Sequence, residues 1–234
     1  MSLVVQKKIK RKKMRKILML AILAVQFSFA QVKKEVGEFD KVRVFDRISV
    51  ELVPSNENRI EISGSRSSEV EVVNKNGELK IRMPFKKLLD GEEINAVLYF
   101  KRLETIDAAE GSYVGSDTPF NQSALEVSAK EGAEVKVSGE LQKLTGKAFT
   151  GGTLTLSGTS VNQEITIGAG GIVHAKDLKT DQTTVSISAG GEAKIYATEL
   201  VDAKIKAGGT ISIYGKPRQV NQKTTLGGTI EQMP

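Results

Sequence analysis

Across the C-terminal half of the chain, apolar and polar residues alternate in short runs that return at a near-constant interval. Doublets of small residues mark the interval: Gly132-Ala133, Gly151-Gly152, Gly170-Gly171, Gly190-Gly191, Gly208-Gly209 and Gly227-Gly228, in steps of 19, 19, 20, 18 and 19 residues. Three residues past each first glycine stand Val135, Leu154, Val173, Ala193, Ile211 and Ile230. Five past stand Val137, Leu156, Ala175, Ile195, Ile213 and then Gln232, with Lys136, Thr155, His174, Lys194, Ser212 and Glu231 between the two sets. A period of two with one face apolar is a half-buried strand, so the pattern predicts a strand after every doublet. Before the doublets, Ile165, Ile167 and Ala169, then Val185, Ile187 and Ala189, then Ala203, Ile205 and Ala207 predict a second strand in the same register.

A fixed period near 20 residues marks a repeat architecture in which each unit buries its apolar face only against its neighbours. Glycine between strands permits a sharp corner, because it accepts positive φ without a Cβ clash. The expected fold is all-β: a single-stranded right-handed parallel β-helix, a solenoid with coils of about 19–20 residues, its hand taken from the crossover rule. Two or three short strands per coil surround one narrow core. The third side, with Leu141, Leu144, Val161, Leu178, Leu200 and Val220 at shifting offsets, reads as a short strand or loop where length variation is absorbed. The last coil, ending in Gln232 and Pro234, reads as a polar stop.

Residues 38–109 alternate too, through Val42 and Val44, Ile48, Val50 and Leu52, Ile60 and Ile62, Leu79, Ile81 and Met83, and Ile94, Ala96 and Leu98. Their spacing is looser, which leaves two expectations: irregular first coils or a cap, followed by regular glycine-paired coils over 110–234. Loops are expected at 84–91 and 117–122. No linker rich in Gly, Ser and Pro divides the chain, so 38–234 is expected to be one β-helix domain, with 31–37 as an N-terminal linker.

Residues 1–30 read as a secretory signal peptide. Eight basic residues (Lys7, Lys8, Lys10, Arg11, Lys12, Lys13, Arg15 and Lys16) precede the apolar run Ile17 to Val25, and Ser28-Phe29-Ala30 places small residues before a cleavage point at Gln31. Met14 is an alternative start that leaves a shorter basic region. The run is short for a membrane-spanning helix, which needs about 20 apolar residues. No transmembrane span is therefore expected after cleavage, and the expected location is periplasm, outer-membrane surface or outside the cell. The whole chain carries 34 Lys+Arg and 28 Asp+Glu; without the 8 leader basics the balance is 26 against 28, or −2. The basic pI belongs to the leader, and a nucleic-acid surface is not expected. Absence of cysteine rules out disulfides and a lipid-modified cysteine, so packing alone must hold the fold.

The segments Gly37-Glu38-Phe39, Val42-Arg43-Val44, Ile48-Ser49-Val50-Glu51-Leu52-Val53 and Ile60-Glu61-Ile62-Ser63-Gly64, then Asn76-Gly77-Glu78-Leu79-Lys80-Ile81, resemble the opening of the head GIN domain family, known in Bacteroidetes as auto-transporter adhesins. The glycine-paired coils are similar as well. The resemblance implies a right-handed β-helix exported to the cell envelope, with no established activity and no catalytic residues to carry over. Because Pro234 follows the last coil directly, no membrane barrel is expected after it.

Candidate chemistry is sparse. Cysteine nucleophiles are impossible. His174, the only histidine, falls in an outward column between Thr155 and Lys194, and one His without Cys does not make a zinc site. Neither a metal nor a cofactor is expected. Glycine-rich 168–171 lacks the Lys-Ser/Thr of a phosphate loop and reads as a coil corner. Polysaccharide lyases and pectinase-like hydrolases share this fold class and need clustered carboxylates; Asp177, Asp181, Glu199 and Asp202 do not share a column, although Asp181 and Asp202 could meet across the irregular third side. The surface feature that stands out is Tyr196 and Tyr214, six residues past their glycines on consecutive coils. With Lys194 and His174 they form the candidate binding set for a polysaccharide or a cell-surface protein, or they merely stabilise the sheet. A non-catalytic adhesin or binding module is the favoured function, with a lyase or glycoside hydrolase and a structural homo-oligomer as the alternatives.

Overall fold

The alternation carries directly into a strand ladder. The computed structural model describes residues 32–234, so the expected signal peptide lies outside the described residues. In chain order the strands are β1 (Val32–Glu35), β2 (Lys41–Val44), β3 (Ser49–Pro54), β4 (Arg59–Ser63), β5 (Glu71–Lys75), β6 (Glu78–Arg82), β7 (Asn95–Phe100), β8 (Thr105–Ala108) and β9 (Tyr113–Gly115). The regular coils follow: β10 (Phe120–Lys130), β11 (Glu134–Phe149), β12 (Thr153–Gly168), β13 (Ile172–Ile187), β14 (Glu192–Tyr196), β15 (Leu200–Ala207), β16 (Thr210–Tyr214), β17 (Gln219–Leu226) and β18 (Thr229–Gln232).

From β8 onward every pairing is parallel, and equivalent residues stack. Val114, Val135, Leu154, Val173, Ala193, Ile211 and Ile230 are successive partners in one column. On the opposite side Ala108, Ala129, Ala148, Ile167, Ile187 and Ile205 form another. All but Ile230 are buried, in one continuous apolar core. The fold is therefore a parallel β-solenoid, as the repeat predicts.

The coils differ from expectation in one respect. β11, β12 and β13 are each a single 16-residue strand that bends around the coil, rather than two or three short ones. Between β11 and β12 the third side is paired on both sides of the bend: Glu140 with Thr159, Leu141 with Ser160, and Lys143 with Asn162. Two consecutive exposed residues, Gln142-Lys143, Val161-Asn162 and Asp181-Gln182, mark the bend where the inward parity switches. That switch is why apolar offsets shift along this side.

The first coils are not stacked in chain order. β2 lies between β6 and β8, and β3 lies between β7 and β9. The chain thus lays down one coil, then adds β6–β7 on its outer side and β8–β9 on its inner side. Beyond β6–β7 the ladder turns antiparallel: β4 pairs with β7, β5 with β6, and β1 with β4. Residues 32–35, expected within a linker, are this outermost strand. At the other end, all six residues of β17 beyond Val220 are exposed, because Gln222 and Thr224 take the positions of Ala203 and Ile205.

Candidate functional site

Irregularity in the repeat creates a groove. Ala175 aligns with Ile195 and Gln182 with Leu200. The same side therefore takes seven residue steps in one coil and five in the next. The strand breaks there: β14 ends at Tyr196 and β15 starts at Leu200, with Thr198 N–H donating to Thr180 O (3.0 Å) and Glu199 N–H to Asp181 O (2.9 Å). The shortened coil leaves a recess of about 490 Å³ bounded by Tyr196 and Thr198 at one end and Asn121 at the other.

Register gives the recess its chemistry. Asn121, Glu140, Thr159 and Lys179 are successive partners in one outward column. Gln142, Val161 and Asp181 occupy the bend beside it, and Val161 is 37% exposed, one of few large aliphatic side chains left in solvent. Among the described residues Glu140, Lys179 and Asp181 form no ion pair, although most charged side chains on this molecule do. The hollow thus offers amides, hydroxyls, two acceptor-only carboxylates and one donor-only ammonium around an aliphatic centre.

Beneath it the core turns polar. The column Leu125, Leu144, Gln163, Thr183, Val201 is apolar except where it underlies the recess. Thr180 Oγ1 donates to Tyr196 O (2.5 Å) and lies 2.8 Å from Thr183 Oγ1, which is 3.2 Å from Gln163 Oε1. Thr180 and Thr183 are buried, so these bonds tie the Tyr196 backbone to the floor of the groove. Gln163 Nε2 is buried without a hydrogen-bond partner.

The four residues singled out from sequence lie mainly elsewhere. His174 pairs in register with Thr155 and Lys194, on the outward face of β13 and β14. Lys194 Nζ is 2.8 Å from Glu192 Oε1; this bond holds the Glu192 carboxyl below its ordinary range and raises the Lys194 ammonium. Tyr196 and Tyr214 are register partners, but the Tyr196 ring covers Gly215, whose added Cβ would lie 2.8 Å from it, and the two rings do not stack. Of the four, only Tyr196 lines the groove. Asn121, Glu140, Gln142, Thr159, Lys179 and Thr198 were not singled out, and Val161, read as an apolar residue of the third side, is exposed in the groove instead; the one trace of the site in the sequence is the 20-then-18 step between glycines. Asp181 and Asp202 do not meet. Asp181 lines the groove, whereas Asp202 aligns with Thr184 and Asn221 and binds Lys204 at 3.0 Å. Among the described residues no group of three or more His, Asp or Glu is placed to hold a metal ion, and no helix is long and apolar enough to cross a membrane.

A second hollow of about 520 Å³ lies beside the 84–91 loop, lined by Arg47, Leu88, Leu89, Glu110, Gly111 and Glu131. Asp46 pins this loop: its carboxylate accepts from Met83 N–H and Leu89 N–H, both at 2.9 Å. Glu110 faces Asp46 and Glu131 here, and burial first, then Asp46, pushes its carboxyl above the ordinary range.

The fold places the chain in a class, the parallel β-solenoid proteins. More specifically, the family model described as "Putative auto-transporter adhesin, head GIN domain" matches residues 38–217, and the chain belongs to that family. Solved structures share the fold. A "putative adhesin" from Bacteroides fragilis NCTC 9343 superposes with a TM-score of 0.81 at 20% identity, covering 89% of this chain and 98% of that one. A "putative lipid binding protein" from Parabacteroides distasonis ATCC 8503 gives 0.66 at 16% identity, covering 87% and 96%. A "putative adhesin" from Parabacteroides merdae ATCC 43184 gives 0.62 at 17%, covering 88% and 96%. Among curated proteins none matches this chain in sequence.

Proposed function

We propose that the chain is an exported, non-catalytic binding module of the cell envelope that holds a surface glycan in the groove between Asn121 and Thr198. The observation that carries this reading is the set of unpaired polar groups converging on Val161 and Tyr196 across four coils. Sugar hydroxyls both donate and accept, so they satisfy carboxylate, ammonium and amide partners at once. The adhesin description of the family supports attachment to surface molecules. The Asp181–Asp202 pair is disfavoured as a catalytic dyad because the two occupy different columns. The test is a glycan array on wild type and Tyr196→Ala. We expect retention of some glycans by the wild type and a loss of about tenfold or more in the variant; retention unchanged by Tyr196→Ala counts against the groove.

A lipid-binding role is the second reading. It is favoured by Phe85, 87% exposed, by the half-exposed Leu88 and Leu89 that line the second hollow, and by the lipid-binding description of the P. distasonis structure. Co-sedimentation with phosphatidylcholine vesicles that disappears in Phe85→Ser would establish it; no co-sedimentation would remove it.

A further inference from the structure

The groove's charges are arranged to take one class of glycan and refuse another. We propose that it binds an uncharged polysaccharide laid along the solenoid axis and excludes polyuronates; this rests on the glycan reading above.

The charge balance comes first. Glu140 and Asp181 are two unpaired carboxylates against the single unpaired ammonium of Lys179. Glu199 adds a third carboxylate just beyond, since its N–H bonds Asp181 O, but Arg218 neutralises it at 3.0 Å. A polyuronate brings a carboxylate with every sugar. One could approach Lys179, yet Asp181 sits two residues along the same strand, and the neighbouring uronates would face Glu140. These carboxylates are exposed, so their repulsion of a polyanion is greatest at low salt, where screening is weakest.

The hydrogen-bond inventory points the same way. Glu140 and Asp181 accept only, so an occupant must bring donors. A neutral polyol brings hydroxyls, which form charge-assisted bonds to both carboxylates and to Lys179. A carboxylate brings no donor of its own, so it would leave the two acidic groups to water and gain nothing from them.

Shape sets the direction. The column Asn121, Glu140, Thr159, Lys179 presents one polar side chain per coil, so its groups recur at about 4.8 Å and span about 14 Å along the axis. Val161 lies at its centre, giving the C–H face of a sugar ring an apolar surface to rest on, and Tyr196 closes its end. A linear chain along the axis meets every one of these groups, whereas one lying across the coils meets a single row.

The test is affinity electrophoresis of the protein through gels containing neutral polymers (glucan, mannan, galactan, xylan) or acidic ones (polygalacturonate, alginate), with circular dichroism confirming that each variant is folded. We expect retardation by at least one neutral polymer and none by either polyuronate. Val161→Asp, at an exposed position, should weaken the neutral interaction at least tenfold. Glu140→Gln with Asp181→Asn should confer salt-sensitive retardation by polygalacturonate. Wild-type binding to polygalacturonate that disappears in Lys179→Ala would overturn the charge selection and leave the glycan groove standing. No retardation by any polymer, in wild type and double variant alike, would overturn the glycan reading itself.

Discussion

Gly170 and Gly171 share a coil corner but answer different needs. Gly170 has φ +77° with nothing within 4 Å of where a Cβ would sit, so only backbone conformation calls for glycine there. At Gly171 an added Cβ would lie 2.3 Å from Ala148 O, the carbonyl of the coil below, so the need is for space. Gly170→Ala should cost about 1–2 kcal/mol, the usual penalty for a left-handed non-glycine residue. Gly171→Ala should cost more, because backbone must move, and denaturant melts of the two variants would check the order. The doublets were plain in the sequence, but their division of labour was not, since it depends on which carbonyl lies beneath each corner. Two carboxylates set opposite pH responses. Hydrogen bonds from Lys80 and then Lys41 hold Glu78 at about 2, against 4.5 ordinarily. Its folded value is depressed, so its stabilisation is present above pH 4.5 and is lost as pH falls toward 2. The stability gap between wild type and Glu78→Gln should close over that window. Glu110 has a raised folded value, so its ionisation opposes folding at neutral pH and the penalty fades on acidification. Glu110→Gln should raise Tm at pH 7.5 and leave it unchanged near pH 4.

At the scale of the strand, one element makes the site: the shortened stretch from Tyr196 to Leu200. Its signature is the 20-then-18 glycine step, but a change of period does not say which side of the coil absorbs it. The alternation along the third side, over 160–163 and 180–183, was hidden because Ser160, Gln163, Thr180 and Thr183 are polar yet point inward. Gln163 carries the clearest consequence. Its buried Nε2 lacks a partner in a column otherwise built of Leu125, Leu144 and Val201 around Thr183. Gln163→Leu removes the unsatisfied donor; Thr183 Oγ1 loses Gln163 Oε1 but can donate to Thr180 Oγ1 at 2.8 Å instead, so the change should stabilise by about 1 kcal/mol, read as a higher urea midpoint. The 84–91 loop depends on Asp46 in the same local way. Asp46→Ala deletes two hydrogen bonds from a residue 1% exposed and should open the loop to limited proteolysis between Pro84 and Gly91 at a cost of about 2–3 kcal/mol. The tyrosine pair was correctly aligned by register, but register fixes Cα partners and not ring direction, and Gly215 gives the Tyr196 ring somewhere else to lie.

For the molecule as a whole, stacking replaces the compact core of a globular domain, and each coil is stable only through its neighbours. The regular coils were legible because like residues recur at like positions. The first coils were not, because β2 is flanked by strands that come later on either side, an order that no local pattern encodes. Right-handed winding is expected from the crossover rule. The two ends differ: antiparallel β1, β4 and β5 close one, while β17 and β18 leave the other lined with Gln222, Thr224 and Gln232. The long flank between them is where a partner can lie across several coils, and the groove is where that flank is interrupted. Methyl NMR during titration with a neutral glucan or mannan that the protein retains locates the contact without any mutation. Shifts should concentrate at Val161, Thr159, Thr180 and Thr198 and be absent from Leu88 and Leu89. Shifts centred on the 84–91 loop, or on the outward face that carries His174 and Lys194 with the groove methyls unmoved, would contradict a groove built by the shortened coil.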